Sequence, residues 1–310
     1  MREPTAQRTR LKTAFFRAAT VGFIVLTVVS VFVAASVTGR GTRAAIGEQR
    51  LARSGDHDIA YYEAGSGPVV VMLASWARPA SDFNELTQTL IDAGFRTIGV
   101  ESRGIGASTG GGPNAMTTLD DLASDVHAVL EHAQTGASEA VHVMGHAFGN
   151  RVARTFAMHY PGRTQSVTLI AAGGRVPVPQ ELTDALFAST MTFLPWSQRE
   201  AAMRRTFFAE GNKIPRYWRT GWSLWGGLGQ AEAARKSADA PFWSGGTGPM
   251  LVFQASDDPV APPEAAGLAL KAEFPSRVTL VEIPGASHAL LPERPDQIAK
   301  ACVQFLNQFR

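Results

Sequence analysis

The stretch that decides the fold is residues 140–159, with the sequence AVHVMGHAFGNRVARTFAMH. Its β-branched beginning predicts a buried strand, and its second half predicts a helix that follows almost at once. The turn between them is GHAFG, residues 145–149. A strand that reverses into a helix so tightly leaves no room for Cβ atoms at the two ends of the turn, which accounts for both glycines. Ala147 is therefore predicted to lie at the tip of a sharp strand–turn–helix.

The same alternation of predicted strands and helices extends over most of the chain. The apolar runs are continuous rather than alternating, which indicates strands whose two faces are both covered. This favours an α/β fold with a mostly parallel central sheet flanked by helices, and ligands then bind beyond the carboxyl ends of the strands. The predicted strands are 69–73, 97–100, 140–144, 166–170, 250–253 and 278–283, and amphipathic helices are predicted at 119–132, 151–159 and 297–309.

Residues 173–248 interrupt this alternation. The stretch is rich in Trp and Phe and predicts helical insertions that act as a lid over the sheet edge. Such aromatic side chains can cover and gate an apolar pocket. Trp196, Trp218 and Trp222 are the predicted substrate-binding residues of this lid.

Composition narrows the class of protein. The chain has 310 residues, 45% of them hydrophobic, and its one cysteine, Cys302, excludes a disulfide framework or a thiolate metal cluster. Residues 1–53 hold nine basic and two acidic side chains, so the rest carries a net charge of −5. A mildly acidic globular part argues against nucleic acid as a partner, because that partner requires a positive surface.

The N-terminal region predicts contact with a membrane. Residues 1–17 are basic and are expected to stay in the cytoplasm, whereas 18–39 carry no charged side chain before Arg40 and predict a transmembrane helix or a signal peptide. We expect 40–54 to be a linker and 55–310 to be the folded domain. The domain is then extracytoplasmic and membrane-anchored, or secreted or periplasmic if the leader is cleaved.

Two further motifs follow predicted strands. DDPVAP, residues 257–262, comes after the strand at 250–253, and GASHA, residues 285–289, comes after the strand at 278–283. The sharp turn around Ala147 and these two motifs, in this chain order, resemble the α/β-hydrolase family with its nucleophile elbow, acid and histidine. The resemblance covers residues 55–310 and implies the α/β-hydrolase fold.

The resemblance also assigns roles to residues. It places Ala147 at the nucleophile position, His288 as the base and Asp258 as its acid, since Asp258 rather than Asp257 directly precedes the Pro-x-x-Pro stretch. It implies an oxyanion hole from the backbone N–H groups of Trp76 and Phe148, although ASWA at 74–77 stands where many relatives carry His-Gly-x-Pro.

A second loop carries the same resemblance. ESRGIGAS, residues 101–108, resembles the family's Asp-x-Arg-Gly-x-Gly-x-Ser loop, with Glu101 in place of aspartate, and we expect it to brace the site. No metal or organic cofactor is implied, since the sequence has no ligand cluster and no dinucleotide-binding glycine motif in a strand–helix context.

Alanine at the nucleophile position closes the usual acyl-enzyme route and leaves three interpretations. In the first, His288 oriented by Asp258 activates water directly, or moves protons in a lyase-like cleavage. In the second, the protein is a non-catalytic receptor for an apolar ligand. In the third, it is an engineered inactive variant of a serine hydrolase. We favour retained chemistry on a small apolar ester, lactone or related carbonyl compound, because His288 and Asp258 both stand at the matching positions.

Overall fold

A computed structural model describes residues 43–136, 139–173, 175–239 and 241–310. Its centre is an 8-stranded sheet with the order β1-β2-β4-β3-β5-β6-β7-β8. The six strands from β3 to β8 run parallel to one another, whereas β2 pairs with β4 in antiparallel register. The mostly parallel α/β architecture is thus confirmed. The strands are β1 (Glu48–Ser54), β2 (His57–Gly65), β3 (Val69–Leu73), β4 (Arg96–Val100), β5 (Val141–His146), β6 (Thr164–Ile170), β7 (Met250–Ala255) and β8 (Val278–Ile283).

Helices cover both faces of this sheet. The central strands β3, β5 and β7 are buried along their whole length, as their continuous apolar runs predict. The helices are α1 (Asn84–Asp92), α2 (Leu119–His132), α3 (Gly149–His159), α4 (Gln180–Thr190), α5 (Trp196–Thr206), α6 (Leu224–Lys236), α7 (Gly267–Glu273), α8 (Leu290–Glu293) and α9 (Pro295–Leu306). One apolar core lies between the sheet and α2 and α3, and a second lies between the sheet and α1 and α9.

The beginning of the folded domain differs from the prediction. Residues 40–54 were expected to be a linker, but β1 pairs with β2 along its whole length in antiparallel register. The strand lies at the edge of the sheet, where most of its side chains, among them Glu48, Gln49 and Arg53, are exposed. The linker prediction is therefore wrong for residues 48–54. The sequence does not show this strand, because an edge strand with polar side chains carries no continuous apolar run.

The predicted N-terminal segments, the basic 1–17 and the membrane or signal segment 18–39, lie outside the described residues. Within the described ranges, no helix is both long enough and apolar enough to cross a membrane. The anchor and the cellular location of the domain stay predictions.

Between β6 and β7 the chain leaves the sheet and forms α4, α5 and α6. We call residues 175–239 the helical segment. It has its own buried aromatic cluster, which is joined to the sheet by contacts with Ala77 and Ala289. The helical content of 173–248 agrees with the prediction from sequence, and its role as a lid stays a prediction.

Candidate active site

The turn at Ala147 has the geometry of an elbow. Ala147 is held at a φ of 50°, in the left-handed region that L residues rarely adopt. A Cβ at Gly145 would collide with the backbone of Gly149, and one at Gly149 would collide with the carbonyl of Leu73. The glycines are therefore required by the close approach of β5, α3 and β3, as the sequence predicted.

Asn150 fastens this elbow to the neighbouring strand. Its side-chain amide donates to the carbonyls of Ile170 and Ala171 at 2.8 and 2.9 Å, and its oxygen accepts the N–H of Ile170 at 3.2 Å. The Ala147 N–H also donates to the Ile170 carbonyl, at 2.9 Å. Because Asn150 is fully buried, these bonds fix the strained backbone against a rigid support. The sequence analysis did not single out Asn150.

The structure brings His288 and Asp258 together at the same edge of the sheet. His288 Nδ1 lies 2.8 Å from Asp258 Oδ2, and both side chains are almost completely buried. Asp258 Oδ1 accepts the backbone N–H groups of Val260 and Ala261 at 2.9 and 2.8 Å. A carboxylate held in this way accepts a hydrogen bond from Nδ1–H, so that in the neutral imidazole the other ring nitrogen, Nε2, keeps its lone pair.

Asp257 does not take part in this pair. Its side chain is exposed and accepts a hydrogen bond from Ser256 at 3.0 Å. The distinction drawn from the Pro-x-x-Pro stretch thus agrees with the geometry, since Asp258 and not Asp257 contacts the imidazole of His288.

His146 connects the elbow to the histidine loop. Its Nε2 lies 2.9 Å from the carbonyl of His288, and since a carbonyl only accepts, Nε2 carries the proton. Burial lowers the pKa of His146 to about 4, although the hydrogen bond to the His288 carbonyl acts in the opposite direction. His146 is therefore a neutral positioning residue at neutral pH. Sequence reasoning passed over it, because nothing in the GHAFG turn distinguishes it from a core histidine.

The two predicted oxyanion donors flank Ala147. Phe148 follows it directly, and Trp76 lies in the loop after β3, and both residues line the same cavity as Ala147. Among the described residues, neither the Trp76 N–H nor the Phe148 N–H donates a hydrogen bond. Two such free donors beside the elbow can stabilise a negative oxygen that develops in a bound substrate.

The helical segment holds the Trp76 loop in place. The Trp76 indole N–H donates to the carbonyl of Gly227 at 2.7 Å, and the Ala77 N–H donates to Gln230 Oε1 at 2.7 Å. The Trp76 ring also packs edge-on against Phe187, with the ring centroids 5.0 Å apart. The loop is thus positioned from the side of α4 and α6 as well as from β3.

A cavity of about 450 Å³ opens over these groups. Ala147, His288 and the oxyanion candidates lie at its base, and the helical segment supplies much of its wall. Its apolar lining includes Val176, Leu186 and Phe207. His288 Nε2 makes no hydrogen bond with any of the residues described, and its ring borders this cavity. The space is of the size that small-molecule ligands occupy.

The predicted substrate-binding tryptophans lie elsewhere. Trp218 and Trp222 are completely buried in the aromatic cluster, with ring centroids 5.3 Å apart, and Trp196 packs against the same cluster. The described residues that line the cavity include none of the three. The physical reason is that large aromatic side chains in a short helical insertion are needed first to build its own core.

The loop 101–108, expected to brace the site, makes contacts with the segment after β3 and with α2. The buried Glu101 accepts the N–H of Ala80 at 3.1 Å, and burial raises its pKa to about 8. Ser108 donates to the Glu101 carbonyl at 2.8 Å, and Arg103 pairs with Asp125 at 2.7 Å. These contacts agree with a bracing loop, and none of them involves His288.

Histidine, cysteine and carboxylate side chains form no group suited to a metal ion within the part of the chain that the structure describes. The candidate site brings together an imidazole, a carboxylate and backbone N–H groups, which can accept a proton and stabilise an oxyanion.

An elbow, a histidine–acid pair and adjacent free N–H groups at the carboxyl edge of a parallel sheet define an α/β-hydrolase. Within that class, the chain matches the family model described as serine aminopeptidase, S33, over residues 68–295, and it belongs to this family. Residue 147, at the centre of its GHAFG turn, is an alanine and carries no hydroxyl.

The chain is similar to a chloroperoxidase, to an esterase and to a bromoperoxidase. A non-heme chloroperoxidase of Kitasatospora aureofaciens is 27% identical over 274 residues, which cover 81% of this chain and 96% of the relative. Among solved structures, a thermophilic esterase from Thermogutta terrifontis has a TM-score of 0.69 at 20% identity and covers 85% of this chain and 99% of its own. A bromoperoxidase from Bacillus anthracis has a TM-score of 0.67 at 18% identity, with coverages of 84% and 100%. The two structures share the fold of this chain.

Proposed function

We propose that this protein hydrolyses a small ester, lactone or related carbonyl compound by direct attack of water, without a covalent intermediate. The observation that carries the proposal is the buried His288–Asp258 pair, with its free Nε2 bordering the cavity that also contains Ala147. A chain that only bound a ligand would have no need of a carboxylate held by three hydrogen bonds behind an imidazole.

The proposed reaction begins with a water molecule between Nε2 of His288 and the substrate carbonyl. His288 takes one proton from the water as its oxygen bonds to the carbonyl carbon, and Asp258 stabilises the imidazolium that forms. When the tetrahedral intermediate collapses, the leaving alkoxide takes the proton from Nε2. The products are a carboxylic acid and an alcohol, or a hydroxy acid from a lactone.

The Trp76 and Phe148 N–H groups are proposed to bind the oxyanion of that intermediate. Both N–H groups are unpaired in the described structure and lie next to the elbow. Donors that are fixed in advance stabilise a developing charge without reorganisation. In serine hydrolases, the oxyanion hole and binding alone retain about 10³–10⁴-fold over water when the nucleophile is removed, so catalysis does not depend entirely on the hydroxyl.

Ala147 fits this route because its methyl group leaves room at the tip of the elbow. A serine would place its hydroxyl between His288 and the substrate, whereas alanine leaves that position to a water molecule. The names of the relatives, an esterase and haloperoxidases, agree with a small-molecule substrate, and the apolar part of the cavity wall favours a substrate with an apolar body.

The test is a panel of para-nitrophenyl esters of increasing chain length, together with γ- and δ-lactones, assayed with the full chain. We expect hydrolysis of at least one member and a loss of about 10²–10⁴-fold in kcat/KM for His288→Ala, the range that a general base contributes. His159→Ala is the matched control, since His159 is an exposed histidine that pairs with Asp120 at the protein surface. It should leave the rate unchanged.

The absence of a nucleophile at Ala147 favours a second candidate, a non-catalytic receptor for an apolar ligand. That candidate predicts no turnover of any panel member, binding of a short-chain ester measured by calorimetry, and the same affinity in His288→Ala. Turnover that depends on His288 would exclude it.

A further inference from the structure

The charged side chains among the described residues of the cavity lining are all arginines. Arg151, Arg175 and Arg235 border it, and the described residues of its lining include no aspartate or glutamate. Two of the three guanidinium groups have carboxylate partners, since Arg175 pairs with Glu273 and Arg235 pairs with Glu232. Arg151 is left as the cation of the cavity without a counter-ion.

The Arg151 guanidinium has no polar partner in the described part of the chain. It forms neither a hydrogen bond nor an ion pair there, and its contact with the Phe242 ring, 5.4 Å from the centroid, is a weak compensation. Desolvation lowers the pKa of Arg151 to about 10, and no acidic group opposes this effect. The buried Arg78, by contrast, forms a bidentate ion pair with Asp82, in which its Nη2 and Nε lie 2.6 and 2.7 Å from the two carboxylate oxygens.

The position of Arg151 in its helix adds a second unfavourable interaction for its charge. Arg151 lies in the first turn of α3, and that turn holds no acidic residue. The helix dipole already places positive partial charge there, so a cation costs stability. An anion bound at the same place would be stabilised by the guanidinium and by the helix terminus together.

Arg154, one turn behind Arg151 on the same helix, adds a second uncompensated charge. It is completely buried, and its side chain donates to the carbonyls of Asn150 and Gly173, while its Nη1 has no hydrogen-bond partner among the described residues. Burial and the neighbouring charge of Arg151 lower the pKa of Arg154 to about 9. Two guanidinium groups without a carboxylate raise the positive potential at this wall of the cavity.

We infer that Arg151 selects substrates that carry a carboxylate in addition to the scissile carbonyl. The preferred substrate is then a monoester of a short aliphatic dicarboxylic acid, or a lactone that carries one free carboxylate. This inference rests on the proposed function and specifies its substrate class. A guanidinium matches a planar carboxylate with two parallel hydrogen bonds. Arg151 is three residues after Phe148, one helical turn from the proposed oxyanion hole, so a short aliphatic spacer joins the two ends of the substrate.

The probes are monomethyl adipate, which has one carboxylate, and dimethyl adipate, which has the same carbon chain and is neutral at both ends. Binding to the full chain is measured by calorimetry, and hydrolysis by titration of the released acid. We expect monomethyl adipate to bind on the order of tenfold to a hundredfold more tightly than dimethyl adipate, the range given by a hydrogen-bonded charge.

Arg151→Gln should bring the two affinities together by weakening the binding of monomethyl adipate only, and Arg151→Lys should retain part of the preference. Arg53→Gln is the control for net charge, since Arg53 is an exposed arginine of β1 that pairs with Asp58. The melting temperature of each variant checks the fold. Because the arginine opposes the helix dipole, we expect no loss of stability in Arg151→Gln.

Binding and hydrolysis separate the two proposals. Selective binding of monomethyl adipate that depends on Arg151 supports the anion site whether or not the probe is hydrolysed, and the proposed reaction is contradicted only if no member of the ester and lactone panel is turned over either. Equal affinities in the unaltered chain, binding of neither probe, or a preference that survives in Arg151→Gln would overturn the inference about Arg151.

Discussion

The carboxyl edge of the sheet and the helical segment contribute different groups to the same cavity. The sheet edge supplies the groups that can react or bind an oxyanion, Ala147, Asp258 and His288 with the N–H groups beside them. The helical segment supplies walls and a buried aromatic cluster. The difference shows that the chemistry depends on loops fixed by strands, whereas the size and charge of the cavity depend on how helices pack over those loops.

The two regions are nevertheless joined by specific bonds. The Ala289 N–H donates to the carbonyl of Phe207 at 2.7 Å, and the Phe207 ring lies 5.9 Å from the His288 ring. Arg78, which follows the Trp76 loop, lies over both Trp218 and Trp222 at 4.7 and 4.6 Å. The aromatic cluster therefore contacts the loops that carry the candidate site, and its tryptophans Trp218 and Trp222 are not among the described residues that line the cavity.

The largest effect is expected at the sheet edge. Asp258→Asn should lower kcat by about 10⁴-fold, because an amide no longer selects the Nδ1-protonated form of His288 or stabilises its cation. The measurement is kcat on the best ester of the panel, with the melting temperature as a check of the fold.

Asp257→Asn is the matched control for that variant. Asp257 is exposed and lies next to Asp258 in the chain, but its side chain hydrogen-bonds to Ser256 and not to His288. We expect little change in kcat. Equal losses in the two variants would show that the pair seen here does not set the reactivity of His288.

In the helical segment, we expect substitutions of aromatic residues to change the free energy of unfolding rather than kcat. Trp218→Ala removes a fully buried ring and should cost about 3–5 kcal/mol in the free energy of unfolding. Trp225→Ala removes a ring that is 44% exposed and should cost much less. Urea unfolding measures both. Comparable losses in the two variants would contradict the buried cluster as the support of this segment.

Much of the sheet edge could be predicted from the sequence. The elbow at Ala147 is visible because a sharp strand–helix turn requires glycines at fixed positions, and the acid and histidine motifs follow apolar runs that read as strands. The buried parallel strands were also visible as continuous apolar runs, and the helix Leu119–His132 was visible from its amphipathic pattern.

Other features could not be predicted, because they depend on packing between distant parts of the chain. β1 carries the polar residues of an edge strand, a pattern that predicts a linker equally well. Trp218 and Trp222 were interpreted as substrate ligands, since a sequence does not show which aromatic rings of an insertion form its own core. Asn150 and Arg151 have roles that appear only when their partners, or the absence of partners among the described residues, can be seen.

The central claim is that water attacks directly because Ala147 cannot form an acyl-enzyme. It is tested most directly by stopped-flow hydrolysis of the best para-nitrophenyl ester, with intact-mass analysis of the protein, for the full chain and for Ala147→Ser. We predict that the unaltered chain turns over without a burst and without added mass. Ala147→Ser should release a burst of about one equivalent and carry the acyl group at residue 147, because the base and the oxyanion donors are already in place. A burst with acylation of the unaltered chain, or a folded Ala147→Ser variant that is never acylated, would contradict the account.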